Sequence, residues 1–193
     1  MANWATGTLK LRGTRENILK FCKEQMKQRA CSDKLPDRDK WVEWRIDEED
    51  NELLIATVHG EASLSIWINN SQRNFVDMDR DVPYYWDMES DGDTHESSFN
   101  FWECPGEDSW CVVFPFMAAW GVEPDYYADL SKKYDIGFRI YTVEQGMGFF
   151  VEYSIKDGNV AVLNEGPAEH KDEKDSKHYG RFIWECPFPF LGG

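Results

Sequence analysis

The sequence predicts an α+β fold interrupted by a long acidic stretch. Three observations carry that expectation. A strand pattern followed at once by a helix pattern opens the chain. A helix followed by several strands occupies residues 124–163. Between these blocks, residues 77–108 hold eleven acidic side chains against one base, Arg80.

Residues 6–12 alternate, with Leu9 and Leu11 on one side and Thr8, Lys10 and Arg12 on the other, as a half-buried strand does. Gly13-Thr14 punctuates the chain, and Thr14 is a good N-cap for a helix whose apolar positions are Ile18, Leu19, Cys22 and Met26. Residues 30–52 are polar, with Trp41 and Trp44 as isolated anchors. Residues 52–59 and 62–69 are strand candidates joined at Gly60-Glu61, and residues 70–98 show little regular pattern. Residues 98–104 and 110–116 look like two more strands, broken at Pro105-Gly106. Pro124 suits the first turn of a helix whose inner face is Tyr127, Leu130, Ser131 and Tyr134. Alternation resumes through Phe138, Ile140 and Tyr141, and Gln145-Gly146-Met147-Gly148 makes a break. Residues 149–155 and 160–163 form a hairpin about Asp157-Gly158. Residues 165–180 are polar, and the end of the chain returns to apolar residues at Phe182-Ile183-Trp184. Phe101-Trp102-Glu103-Cys104-Pro105 recurs as Ile183-Trp184-Glu185-Cys186-Pro187, which reads as two edge strands, each stopped by a proline.

The opening Asn3-Trp4-Ala5-Thr6 with its following strand, and the block from Ala118-Ala119-Trp120-Gly121 through a helix to Gln145-Gly146-Met147-Gly148-Phe149, resemble the YubB ferredoxin-like family, known mainly from plasmids and bacteriophages. The resemblance implies one ferredoxin-like domain over residues 1–193: an antiparallel sheet with two helices on one face. The acidic stretch would then lie in an insertion at about residues 30–98, and a polar segment at 165–180 would follow. It brings no catalytic residues with it.

Charge narrows the function. The 193 residues carry a net −15, unevenly: residues 1–36 hold eight bases and three acids. The acids of the central stretch are interleaved with Phe75, Tyr84, Tyr85, Trp86, Phe99, Phe101, Trp102 and Trp110. Rings at that density hold an acidic run on a folded surface, because they supply buried area. Such a surface attracts basic partners and repels nucleic acid and anionic membranes. No stretch approaches the ~20 apolar residues of a membrane span. No apolar signal-type run opens the chain, so the five cysteines are expected as thiols in a bacterial cytoplasm.

Chemistry-bearing motifs are missing. There is no GxSxG, no phosphate loop, no CxxC and no HxxxH. Asp87, Glu89, Asp91 and Asp93 with Gly92 suggest a calcium loop, but Ser98 stands where an EF-hand needs its bidentate glutamate. The reading is therefore a non-enzymatic, cofactor-free binding protein of a phage or plasmid. Its acidic face would occupy a basic, nucleic-acid-binding host defence effector, as an anti-CRISPR protein does. The candidate partner-binding residues are Asp77, Asp79, Asp81, Tyr84, Tyr85, Trp86, Asp87, Glu89, Asp91 and Asp93. Two alternatives stay open: an accessory protein that binds a partner encoded by the same element, and a metal-dependent enzyme. A homodimer through an open sheet edge is compatible with the layout.

Overall fold

The computed structural model describes residues 4–28, 42–59, 65–68, 74–77, 86–91, 94–104, 108–144 and 147–167. Among them are thirteen strands and two helices: β1 (Trp4–Gly13), α1 (Arg15–Gln25), β2 (Met26–Gln28), β3 (Val42–Ile46), β4 (Leu53–His59), β5 (Ser65–Ile68), β6 (Asn74–Asp77), β7 (Trp86–Asp91), β8 (Thr94–Asn100), β9 (Trp102–Glu103), β10 (Trp110–Ala119), α2 (Pro124–Tyr134), β11 (Gly137–Glu144), β12 (Phe149–Lys156) and β13 (Asn159–Pro167).

The strands form two antiparallel sheets. The larger runs β13-β12-β11-β1-β10-β6-β5-β2, with β9 also paired to β10; the smaller runs β3-β4-β8-β7. The fold is thus β-rich, and the expected ferredoxin-like α+β sandwich is wrong. The middle of the chain supplies much of the difference. Strands β3 to β8 all fall between residues 42 and 100; β5 and β6 extend the large sheet, and the other four make the second sheet.

The register explains the core. Leu9 sits between Phe114 and Ile140, and Leu11 between Val112 and Phe138, so one face of the large sheet is a continuous apolar surface. Both helices cover it. Thr14 caps α1, accepting a hydrogen bond from the Asn17 N–H at 3.2 Å, and α1 turns Ile18, Phe21 and Cys22 inward. Helix α2 starts on Pro124 and ends at Asp135, whose left-handed φ of 52° lets the chain turn into β11. Phe21 and Tyr127 both meet the Phe138 ring edge-on, at 5.4 and 5.3 Å between centroids. The Tyr134 hydroxyl ties the helices together: it donates to Glu24 at 2.8 Å and accepts from Gln25 Nε2 at 2.5 Å and from Lys133 Nζ at 2.8 Å.

Beside α1, the small sheet packs on the same surface. Trp44 of β3 and Phe99 of β8 lie against Phe114 of β10, with ring centroids 5.9 and 4.7 Å away. The Trp44 indole N–H donates to the Met26 carbonyl at 3.3 Å, fixing β3 to the end of α1. All of this forms one apolar cluster.

The opposite face of the large sheet is buried too. Thr8, Lys10, Cys111, Val113, Arg139, Tyr141 and Glu152 are each under a tenth exposed. Arg139 and Glu152, neighbours across β11 and β12, form a buried ion pair whose Nε–Oε1 hydrogen bond is 2.6 Å. Gly7 is required between β10 and β11: a Cβ there would lie 1.8 Å from the Tyr141 carbonyl oxygen. The second predicted hairpin is present, with Asp157 and Gly158 both at positive φ, as a tight turn between twisted strands needs.

Candidate partner-binding surface

The small sheet has one apolar face and one that mixes charged side chains with the buried Ile55. Trp44, Leu54, Ala56, Val58 and Phe99 alternate inward, all nearly inaccessible. Glu43, Arg45, Ile55, Thr57, Glu96 and Ser98 alternate the other way, in register across three strands; Glu43 and Arg45 are exposed and Ile55 is buried. On the fourth strand, β7, the backbone pairs Asp87 with Ser98, Glu89 with Glu96 and Asp91 with Thr94. Alternate positions of a strand are spaced about 7 Å apart.

The turn from β3 to β4 adds to this charge. Its sequence is Asp47-Glu48-Glu49-Asp50-Asn51-Glu52. Asp47 organises it: one carboxylate oxygen accepts the Glu49 and Asp50 N–H groups, both at 2.8 Å. Those two N–H groups hold the Asp47 carboxyl below its usual range, with Arg45 assisting. Asp50 in turn accepts the Glu52 N–H at 2.9 Å. The turn is thus closed by its own carboxylates, and Glu48, Glu49, Asp50 and Glu52 stand exposed on it. Arg15 anchors the turn to the large sheet: its guanidinium donates to the Asn51 carbonyl at 2.5 Å and lies 4.1 Å above the Trp110 ring.

The described residues of the small sheet and its first turn (42–59, 86–91 and 94–100) contain ten acids and one base, Arg45. Arg45 is held within the sheet, 3.2 Å from Glu96 and 3.4 Å from Asp47. The backbone register sets Glu89 opposite Glu96.

This surface differs from the one expected. Trp86, Asp87, Glu89 and Asp91 lie on β7. Asp77 ends β6 and belongs to the large sheet, paired with Ser65. Asp79, Asp81, Tyr84, Tyr85 and Asp93 lie outside the described residues, as do the 168–193 segment with the second Trp-Glu-Cys-Pro copy, and Cys31 and Cys186. Sequence reasoning missed Glu43 and the turn acids Glu48, Glu49, Asp50 and Glu52. They lie some forty residues before β7 in the chain, and the pairing of β4 with β8 is what joins the two groups. Their signal was present: a tight acidic run beside the strand predicted over residues 52–59.

Among the described residues, no three His, Cys, Asp or Glu side chains are placed to share a metal ion. Cys22, Cys104 and Cys111 are buried thiols, and burial raises the Cys22 pKa. No helix of the described residues is long and apolar enough to cross a membrane. No protein-family model, curated protein or solved structure matches the chain.

Proposed function

We propose that the chain is a non-enzymatic binding protein whose acidic small sheet occupies a basic, nucleic-acid-binding surface on another protein, imitating the charge of nucleic acid. The observation that carries this reading is the ten-to-one ratio of acids to bases over the described residues of the small sheet and its first turn. Of these acids Glu43, Glu48, Glu49, Asp50 and Glu52 are exposed, and clustered exposed carboxylates create a field that steers basic partners and makes association salt-dependent.

The setting we propose is the bacterial cytoplasm, with a phage or plasmid as the source and a host defence effector, of CRISPR type or another, as the partner. That part rests only on the resemblance to the YubB family read from residues 1–11 and 118–149, whose implied fold is not the one adopted. Immobilised protein tests the reading in bacterial lysate. A nucleic-acid-binding protein should be retained at about 0.1 M salt and released near 1 M, as the screening length falls from about 10 Å to about 3 Å. Retention of no basic protein at the lower salt contradicts it.

A further inference from the structure

The turn between β10 and α2 holds a large side chain in a backbone conformation that such residues rarely adopt. Trp120 has φ 66°, and Gly121 follows at φ 110°. Glycine adopts such angles freely, whereas for a bulky residue they are strained. Packing does not compensate: the Trp120 side chain is 62% exposed.

Two more apolar side chains are exposed at the same end of the large sheet. Met147 is 67% exposed in the turn after β11, where its N–H donates to the Glu144 carboxylate. Trp4 is 39% exposed, pairs across the backbone with Ala119, the residue before Trp120, and meets the Phe75 ring at 5.9 Å. Gly121 abuts Phe149, the first residue of β12, so the two turns adjoin. The surroundings are acidic: Glu123 and Asp125 are exposed at the start of α2, and Glu165 is exposed on β13.

We infer that this end of the large sheet is a second docking surface, and that its occupant is a protein segment bearing arginine. Guanidinium groups stack on exposed indole faces and pair with carboxylates at the rim, while their methylene stems lie on apolar side chains such as Met147. A nucleic acid meets repulsion from Glu123, Asp125 and Glu165. A second copy joined across a two-fold axis brings the same three carboxylates face to face. The inference uses no residue of the small sheet, so each surface stands or falls by itself.

The test reads Trp120 directly. The full chain is labelled with 5-fluorotryptophan, and the Trp120 fluorine resonance is identified by its loss in Trp120→Asn. Asparagine accepts positive φ more readily than tryptophan does, so this variant should melt no lower than the wild type. A nine-residue arginine peptide should shift the Trp120 resonance, and a nine-residue glutamine peptide should not. Trp120→Asn and Met147→Gln should each weaken binding of the arginine peptide, the first by about tenfold. The inference is overturned by any of four results: a Trp120 resonance unmoved at saturating peptide, undiminished affinity in Trp120→Asn, a shift produced by protein concentration alone, or a shift produced by a DNA oligonucleotide. A lower melting temperature for Trp120→Asn overturns it as well, because the ring would then be structural.

Discussion

The two sheets treat charge in opposite ways. In the large sheet, Arg139 and Glu152 lie within a buried face and bond to each other, while apolar residues fill the helix-covered face. In the small sheet, one face is apolar, and the described residues of the sheet and its first turn hold ten acids and one base. Charge that is buried and matched belongs to the stability of the fold. Charge that is exposed, like-signed and set on a rigid turn adds little to stability and is available to a partner. The difference is why we place the proposed nucleic-acid mimicry on the small sheet.

The comparison is broken most severely where the two sheets meet. Phe114 touches both Trp44 and Phe99, so Phe114→Ala should cost about 3–5 kcal/mol. Urea unfolding, followed by far-ultraviolet circular dichroism and by tryptophan fluorescence, should still show one coincident transition; separate transitions would mean that the sheets fold independently. Removing one member of the buried ion pair comes next. Glu152→Ala leaves Arg139 buried without this carboxylate and should cost about 3 kcal/mol in the same measurement. A loss under 1 kcal/mol would show that the pair is not buried in solution.

The acidic turn gives a smaller effect with a definite sign. The Asp47 carboxyl has its pKa lowered in the fold, chiefly by the Asp50 and Glu49 N–H groups, relative to about 3.9 in an unfolded chain. Its contribution is therefore complete above about pH 4 and is lost as pH falls through the lowered folded value. Asp47→Asn should melt below the wild type at pH 7, and the gap should narrow on acidification below about pH 4. A gap that is constant from pH 7 to pH 3 would remove Asp47 from this role.

The ends of the chain's pattern were easier to read than its middle, for physical reasons. Thr14 and Pro124 announced their helices because capping chemistry is local to the sequence. Asp157-Gly158 announced its hairpin in the same way. Strand β7 was hidden because its sequence, Trp-Asp-Met-Glu-Ser-Asp, sets three acids at alternate positions and resembles a solvated loop. Strand β8 was recognised only from Ser98 onward, since Thr94-His95-Glu96-Ser97 carries no apolar side chain. Strand β10 gave no alternation because both of its faces are buried. For the binding surface, the acids of β7 were visible as composition. Their union with Glu43 and the Glu48-Glu49 turn depends on long-range pairing, which no local pattern encodes.

The central claim is that the small sheet binds a basic surface in place of nucleic acid. The direct measurement is displacement of labelled double-stranded DNA from purified bacterial nucleic-acid-binding defence proteins. The wild type is compared with a variant carrying Glu48→Lys, Glu49→Lys, Asp87→Lys, Glu89→Lys and Asp91→Lys. The account predicts that the wild type displaces DNA from at least one of them at about 0.1 M salt and that the variant, folded by circular dichroism, does not. Displacement that is equal for the two proteins, or absent for both across the set, would contradict it.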